Sequence, residues 1–154
     1  MKYSTDRILT THAGALPQPP DLKAMHNAQV AGQSVDKAAF AKRVREAVAE
    51  VVKKQLACGL DIINDGEVGK SNFSRYARER LSGFIEREVK PDDRASTIYA
   101  RDMVEFGSYF HNRTTHRGEN IKRVFCNAPL KYVGQQSLKA EIDDFKAGLQ
   151  GHNY

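Results

Sequence analysis

The chain has 154 residues, of which 40% are hydrophobic and 28% charged. These are the proportions of an ordinary globular domain, and they exclude a disordered chain, a collagen-like chain and a coiled-coil rod. The net charge of +5, from 24 Lys and Arg against 19 Asp and Glu, is a mild excess spread along the chain, so nucleic acid is only a minor alternative as a partner. One domain, residues 1–154, is the natural organisation at this length. No run approaches the ~20 apolar residues of a membrane span. Met1 to Arg7 lacks the apolar segment of a secretory signal, so a soluble, cytoplasmic protein is expected.

In chain order, residues 7–11 (Arg7-Ile8-Leu9-Thr10-Thr11) read as a short strand, β-branched and apolar. It runs into His12-Ala13-Gly14-Ala15-Leu16-Pro17-Gln18-Pro19-Pro20, a loop fixed by one Gly and three Pro. Asp21 to Ala31 suits a short helix with Asp21 as N-cap. From Asp36 to Cys58, Phe40, Val44, Val48, Val51, Val52 and Leu56 recur at helical spacing and predict an amphipathic helix. Gly59 stands where a left-handed C-terminal cap belongs.

Residues 60–64 read as a buried strand ending in Asp65-Gly66-Glu67. A second amphipathic helix is expected from Ser71 to Ile85, burying Phe73, Ala77, Leu81 and Phe84. Glu86 to Arg94, with Pro91, reads as a surface connection. Ser96 to His111 is ambiguous, because Gly107 weakens a helix. Ile121 to Cys126 predicts a third strand, Asn127 to Gly134 an irregular extended loop, and Ser137 to Leu149 a final helix. Cys58 and Cys126 are too few for a disulfide framework. They sit among apolar residues as expected buried thiols and lack the spacing of a zinc site.

Alternating strands and helices describe βαβ units around a parallel sheet, whose sites lie at the C-terminal strand ends. His12-Ala13-Gly14, Asp65-Gly66-Glu67, and Asn127-Ala128-Pro129 with Tyr132 would converge there. Each has a plainer reading. A lone His is more often a structural residue than a ligand. Asp65 and Glu67 suit a helix N-terminus as well as they suit binding a substrate ammonium or acting as a base. Tyr132 packs, or stacks on a ring ligand. The Arg75 to Arg87 run is most simply a solvated face, and alternatively a patch for a polyanionic substrate tail.

Residues 8–19, from Ile8-Leu9-Thr10-Thr11-His12 to Pro19, resemble the opening "TTHxGSxPRP" of the cobalamin-independent methionine synthase family. Gln55-Leu56-Ala57-Cys58-Gly59-Leu60-Asp61 through Asp65-Gly66-Glu67 resembles its "QxxAGLDxxxDGE" segment. Residues 128–135, with Tyr132, resemble its third-strand motif, followed by a helix containing Asp143-Asp144-Phe145. The three segments stand in the family's order.

The resemblance implies an α/β fold, a partial (β/α)8 TIM barrel of about the first three β/α units. At ~250 residues for a whole barrel, this chain is expected to be the N-terminal part. The resemblance further implies methyl transfer from a methyl-tetrahydrofolate-type donor to a thiol such as homocysteine. The family activates the thiol on zinc, which lowers its pKa; the zinc ligands lie beyond this chain. The family's substrate-holding glutamate falls on Glu67, and the serine of its first loop falls on Ala15. His12, Gly14, Asp65, Glu67 and Tyr132 are the expected substrate-binding residues, with no metal ligand and no assignable catalytic residue. The expected partners are the small-molecule thiol and methyl donor, and a second copy or a complementary barrel half. The alternative is a non-catalytic half-barrel that pairs with a partner subunit.

Overall fold

A computed structural model describes residues 3–88, 100–114 and 122–152. The chain divides into two compact units, Met1–Arg80 with Val133–Tyr154, and Leu81–Tyr132.

In the first unit, α1 (Pro20–Val30) starts with Pro at its N-terminus, where the missing N–H costs nothing. Asp21 lies in the first turn of α1 and does not cap it; Pro19 holds the cap position. Helix α2 (Lys37–Ala57) is capped by Asp36, whose Oδ1 accepts from Ala38 N at 2.8 Å and Ala39 N at 3.2 Å. Its apolar stripe forms the core as predicted: Ala47, Val48, Val51 and Val52 are buried with Leu22 and Val68, and Phe40, Val44 and Leu56 pack at the margin. Helix α3 (Phe73–Glu79) is short.

Helix α6 (Gln135–Leu149) adds Phe145 and Leu149 to the core. Its Gly148 lies so close to α2 that a Cβ there would sit 3.4 Å from Ala49 Cα. Arg45 on α2 holds Asp144 on α6 at 2.7 Å.

The two strands expected at residues 7–11 and 60–64 are reduced to one parallel bridge, Thr11 to Ile62. Thr10 O takes two backbone bonds from the other segment, and side chains take the remaining groups. Asp61 N and Ile62 N both donate to Thr10 O at 3.1 Å, Thr10 N donates to the Asp61 carboxylate at 2.8 Å, and Gln55 takes both backbone groups of Asn64. Side chains thus close the hydrogen bonds that would otherwise extend a ladder.

In the second unit, β1 (Leu81–Glu88) pairs antiparallel with β2 (Lys122–Tyr132), and α4 (Ala100–Glu105) and α5 (Gly107–Thr114) lie between them in sequence. This corrects two expectations. The helix over residues 71–85 stops at Glu79, and Leu81 and Phe84 belong to a strand. The third strand runs on to Tyr132 as half of an antiparallel hairpin, not as a member of a parallel sheet.

The reason is local. Gly83 adopts φ +94, and a Cβ there would meet Ala128 O at 2.7 Å and Pro129 O at 2.9 Å. The register shifts there, so residues 127–130 bulge opposite Gly83, and Pro129, without an N–H, falls in that bulge.

Of the ambiguous stretch, residues 100–105 and 107–111 are helical, and the second helix runs on to Thr114. Residues 89–94 of the expected connection, residues 96–99, and Ile121 lie outside the described residues. Cys58 and Cys126 are exposed, contrary to expectation: Cys58 caps α2 beyond its apolar stripe, and Cys126 stands on the hairpin. Among the described residues, no helix is long and apolar enough to cross a membrane.

Candidate functional site

The site begins with Asp61. Its carboxylate takes two hydrogen bonds from Arg7 (Nη1 to Oδ2 at 2.8 Å, and Nη2 to Oδ1) and two more from Thr10, N at 2.8 Å and Oγ1 at 3.1 Å. The Arg7 guanidinium, the Thr10 amide and the Thr10 hydroxyl together hold this carboxyl far below the usual carboxylate range, against the opposing effect of burial. Thr11 Oγ1 donates to Ile62 O at 2.8 Å. These bonds fix the start of the first loop beside residues 61–62.

Asn64 carries the next step. Its Nδ2 donates to His12 O at 2.7 Å, and its Oδ1 accepts from Gly66 N at 2.8 Å. Leu16 N donates to Gly66 O at 2.8 Å. The first loop and the Asp65-Gly66-Glu67 turn are therefore tied together at both ends.

The turn itself is left-handed. Gly66 has φ +58 and Glu67 has φ +55, the only non-Gly residue with positive φ among those described. Consecutive positive φ values at its two centres suit a type I′ turn, closed here by Val68 N to Asp65 O at 3.4 Å. Gly66 is buried, and a Cβ there would lie 2.8 Å from both Leu16 Cδ1 and Val51 Cγ1. A left-handed non-Gly residue costs ~1–2 kcal/mol, and such strain gathers at functional positions.

Among the expected site residues, His12 and Glu67 are half-buried, and Gly14 is exposed with φ +85. The His12 Nε2 is buried without a hydrogen-bond partner among the described residues. Asp65 pairs with Lys70 Nζ at 2.9 Å and accepts from Glu67 N at 3.1 Å. Burial alone would lower the Lys70 pKa, but the Asp65 hydrogen bond and charge outweigh it, and the net shift is upward. Tyr132 is an exposed residue of the second unit.

Sequence reading missed Gln55, Asn64 and Lys70. Gln55 carries a legible signal, since it stands one turn beyond Val51 and Val52 within the apolar stripe. The reading of the arginine run as a solvated face is overturned at Arg80, which is 9% exposed.

A family model for the catalytic domain of cobalamin-independent synthases matches residues 8–108. The chain belongs to the cobalamin-independent methionine synthase family. Three relatives carry the name 5-methyltetrahydropteroyltriglutamate–homocysteine methyltransferase. That of Streptomyces avermitilis is 31% identical over 98 residues, covering 64% of this chain and 13% of the relative. That of Mycobacterium tuberculosis H37Rv is 33% identical over 76 residues, covering 49% and 10%. That of Rhodococcus jostii is 35% identical over 76 residues, again 49% and 10%. The matched stretch thus spans about a tenth to an eighth of these relatives.

In this member of the cobalamin-independent family, the matched stretch contains the whole His12 to Glu67 assembly. Among the described residues, no three His, Cys, Asp or Glu side chains converge as a metal-binding set. These described residues do not by themselves fit a zinc ion.

Proposed function

We propose that this chain forms part of the substrate site of a methionine-synthase-like methyltransferase, within the N-terminal portion of a (β/α)8 barrel in the cytoplasm. The donor is of the methyl-tetrahydrofolate type and the acceptor a thiol such as homocysteine. The observation that carries the reading is the strained Gly66–Glu67 turn, bonded to the first loop through Leu16 and, by way of Asn64, to the His12 carbonyl. In this reading the Glu67 carboxylate accepts hydrogen bonds from the substrate ammonium. His12 and Gly14 line the first loop beside it, Asp65 fixes the turn through Lys70, and Tyr132 is a further substrate contact in this reading. The chain orients the substrate so that the thiolate sulfur faces the methyl carbon of the donor.

The test is amide NMR of the chain titrated with L-homocysteine and with 4-mercaptobutyrate, which lacks the ammonium. Shifts centred on His12, Gly66 and Glu67 that saturate with homocysteine and are absent with 4-mercaptobutyrate are expected. Equal responses to both compounds, or none to either, would remove the ammonium role of Glu67.

A second reading is a non-catalytic half-barrel that pairs with a partner or a second copy. Leu138 and Ile142 of α6 favour it: they are 41% and 43% exposed, while Phe145 and Leu149 of the same helix pack inward. Light scattering after size exclusion checks it. Association weakened by Leu138→Lys and Ile142→Lys supports pairing through α6, and a monomer at all concentrations removes self-pairing.

A further inference from the structure

His26 is a buried titratable group that the methyl-transfer reading does not use. It stands on α1 and is 6% exposed. Its ring meets Phe40 of α2 edge-on, with centroids 5.0 Å apart and planes at 85°. One ring nitrogen, Nε2, is buried with no hydrogen-bond partner among the described residues. The other, Nδ1, donates to the Val68 carbonyl, which leaves a bare lone pair on Nε2 of the neutral ring. The same carbonyl accepts from Gln18 Nε2 at 2.9 Å. Val68 is fully buried and directly follows Glu67. His26 thus fastens α1 to the end of the Asp65-Gly66-Glu67 turn.

The charges around the ring are already balanced. A cavity of about 150 Å³ adjoins it, lined also by Lys70, by Arg75 and Glu79 of α3, by Arg80 and by Glu141 of α6. Lys70 pairs with Asp65 at 2.9 Å, Arg75 with Glu79 at 2.6 Å, and Arg80 with Glu141. From α2 the ring meets the uncharged Phe40, while Arg43 of α2 pairs with Asp21 of α1 at 2.6 Å. A protonated His26 is therefore a fourth cation on a wall whose three cations are matched one to one, and its Nε2–H finds no acceptor. Leaving a buried donor unmet is costly, the more so when it is charged. Burial accordingly pushes the imidazole below its ordinary value; the Val68 carbonyl and Glu79 oppose this, and Arg75 adds to it.

We propose that His26 is an acid-operated latch: neutral, it holds α1 to Val68 against Phe40, and protonated, it leaves that seat for the adjoining cavity and releases α1 from the segment that follows the turn. The cavity supplies the room, and Glu79 on its wall the nearest countercharge. The unfolded imidazole takes its proton near ~6.5 and the seated one at lower pH, so the latch is fully closed above that value and opens as the pH falls below it. The proposal does not depend on the methyl-transfer reading.

The test combines amide exchange, corrected for its intrinsic pH dependence, with NMR of the His26 ring in the full chain from about pH 7.5 to about pH 5. In the parent, protection of α1 is expected to fall about tenfold relative to α2 over this range, with a midpoint that coincides with the His26 titration and lies below ~6.5. His26→Gln keeps a donor for Val68 and does not titrate, so its α1 protection is expected to stay constant. A His26 titration at or above ~6.5, an α1 protection independent of pH in the parent, an equal loss over α1 and α2, or a parent-like loss in folded His26→Gln would overturn the proposal. If the variant fails to fold, the two midpoints in the parent decide: coincidence supports the latch and separation rejects it.

Discussion

Gln55 and Asn64 form a reciprocal amide pair: Gln55 Nε2 donates to Asn64 O at 2.7 Å, and Asn64 N donates to Gln55 Oε1 at 3.2 Å. Gln55 is 3% exposed, so helix α2 supplies from its buried face the two bonds that a neighbouring strand would otherwise supply. Asn64 in turn grips His12 O and Gly66 N. The order of the loops thus descends from one buried side chain.

Gln55→Leu keeps the volume and leaves Asn64 N and O unmet. A loss of about 1–3 kcal/mol in unfolding free energy is expected, with faster amide exchange at Gly66 and Leu16. Chemical denaturation and hydrogen exchange check both; unchanged exchange at Gly66 would separate the pair from the turn.

At Gly66 the backbone is left-handed and the space is closed. Gly66→Ala adds the conformational cost and a clash with Leu16 and Val51, about 2–4 kcal/mol together. Thermal melts should show a lower midpoint, and a parent-like midpoint would mean that the turn refolds around the methyl group.

In the proposed function, Glu67 trades stability for binding. Glu67→Gly relieves the left-handed strain and is expected to raise stability by about 1 kcal/mol while abolishing homocysteine-induced shifts. Glu67→Gln keeps the strain and loses one charge-assisted bond, about 1.5–3 kcal/mol of substrate affinity. Calorimetry on the pair distinguishes a strained turn kept for binding from one kept for folding.

Asp61 predicts the acid limb of stability. Its folded carboxyl titrates well below the unfolded value near ~3.9. Its contribution is therefore complete above that value and fades as the pH falls toward the folded pKa. Asp61→Asn should melt lower than the parent at pH 6–7, and the gap should close progressively below about pH 4. A gap independent of pH would mean that the Arg7 and Thr10 bonds act without the charge.

Helix α2 was legible because its apolar period and its Asp36 cap are local, and α6 was legible from its apolar period alone. The strands at residues 7–11 and 60–64 were over-read because their hydrogen bonds go to Asp61 and Gln55, choices made across more than fifty residues in one case and through a helix in the other. Leu81 and Phe84 fit a helical stripe and a strand equally well, and only the pairing with Tyr132 and Cys126 decides. The expected burial of Cys58 and Cys126 failed because apolar neighbours in sequence do not fix which side of a cap or hairpin is covered. At the site, the motifs located the loop and the turn, while the left-handed Glu67 and the orphaned nitrogens of His12, His26 and Arg80 exist only in three dimensions. Tyr132 belongs to the other unit.

The points where the chain leaves and re-enters its first unit are held together, since Val133 N donates to Arg80 O at 2.8 Å and a side chain at the buried Gly134 would strike Arg80 Cβ at 2.7 Å. The first unit therefore closes on itself where the chain leaves it at Arg80 and returns at Val133, the arrangement that tolerates insertion of one unit into another. Cutting out Leu81–Tyr132 and bridging Arg80 to Val133 with a tight two- or three-residue turn should leave the first unit's melting behaviour intact. The same closure makes the hairpin a natural place to exchange one module for another without disturbing the Asp65-Gly66-Glu67 turn.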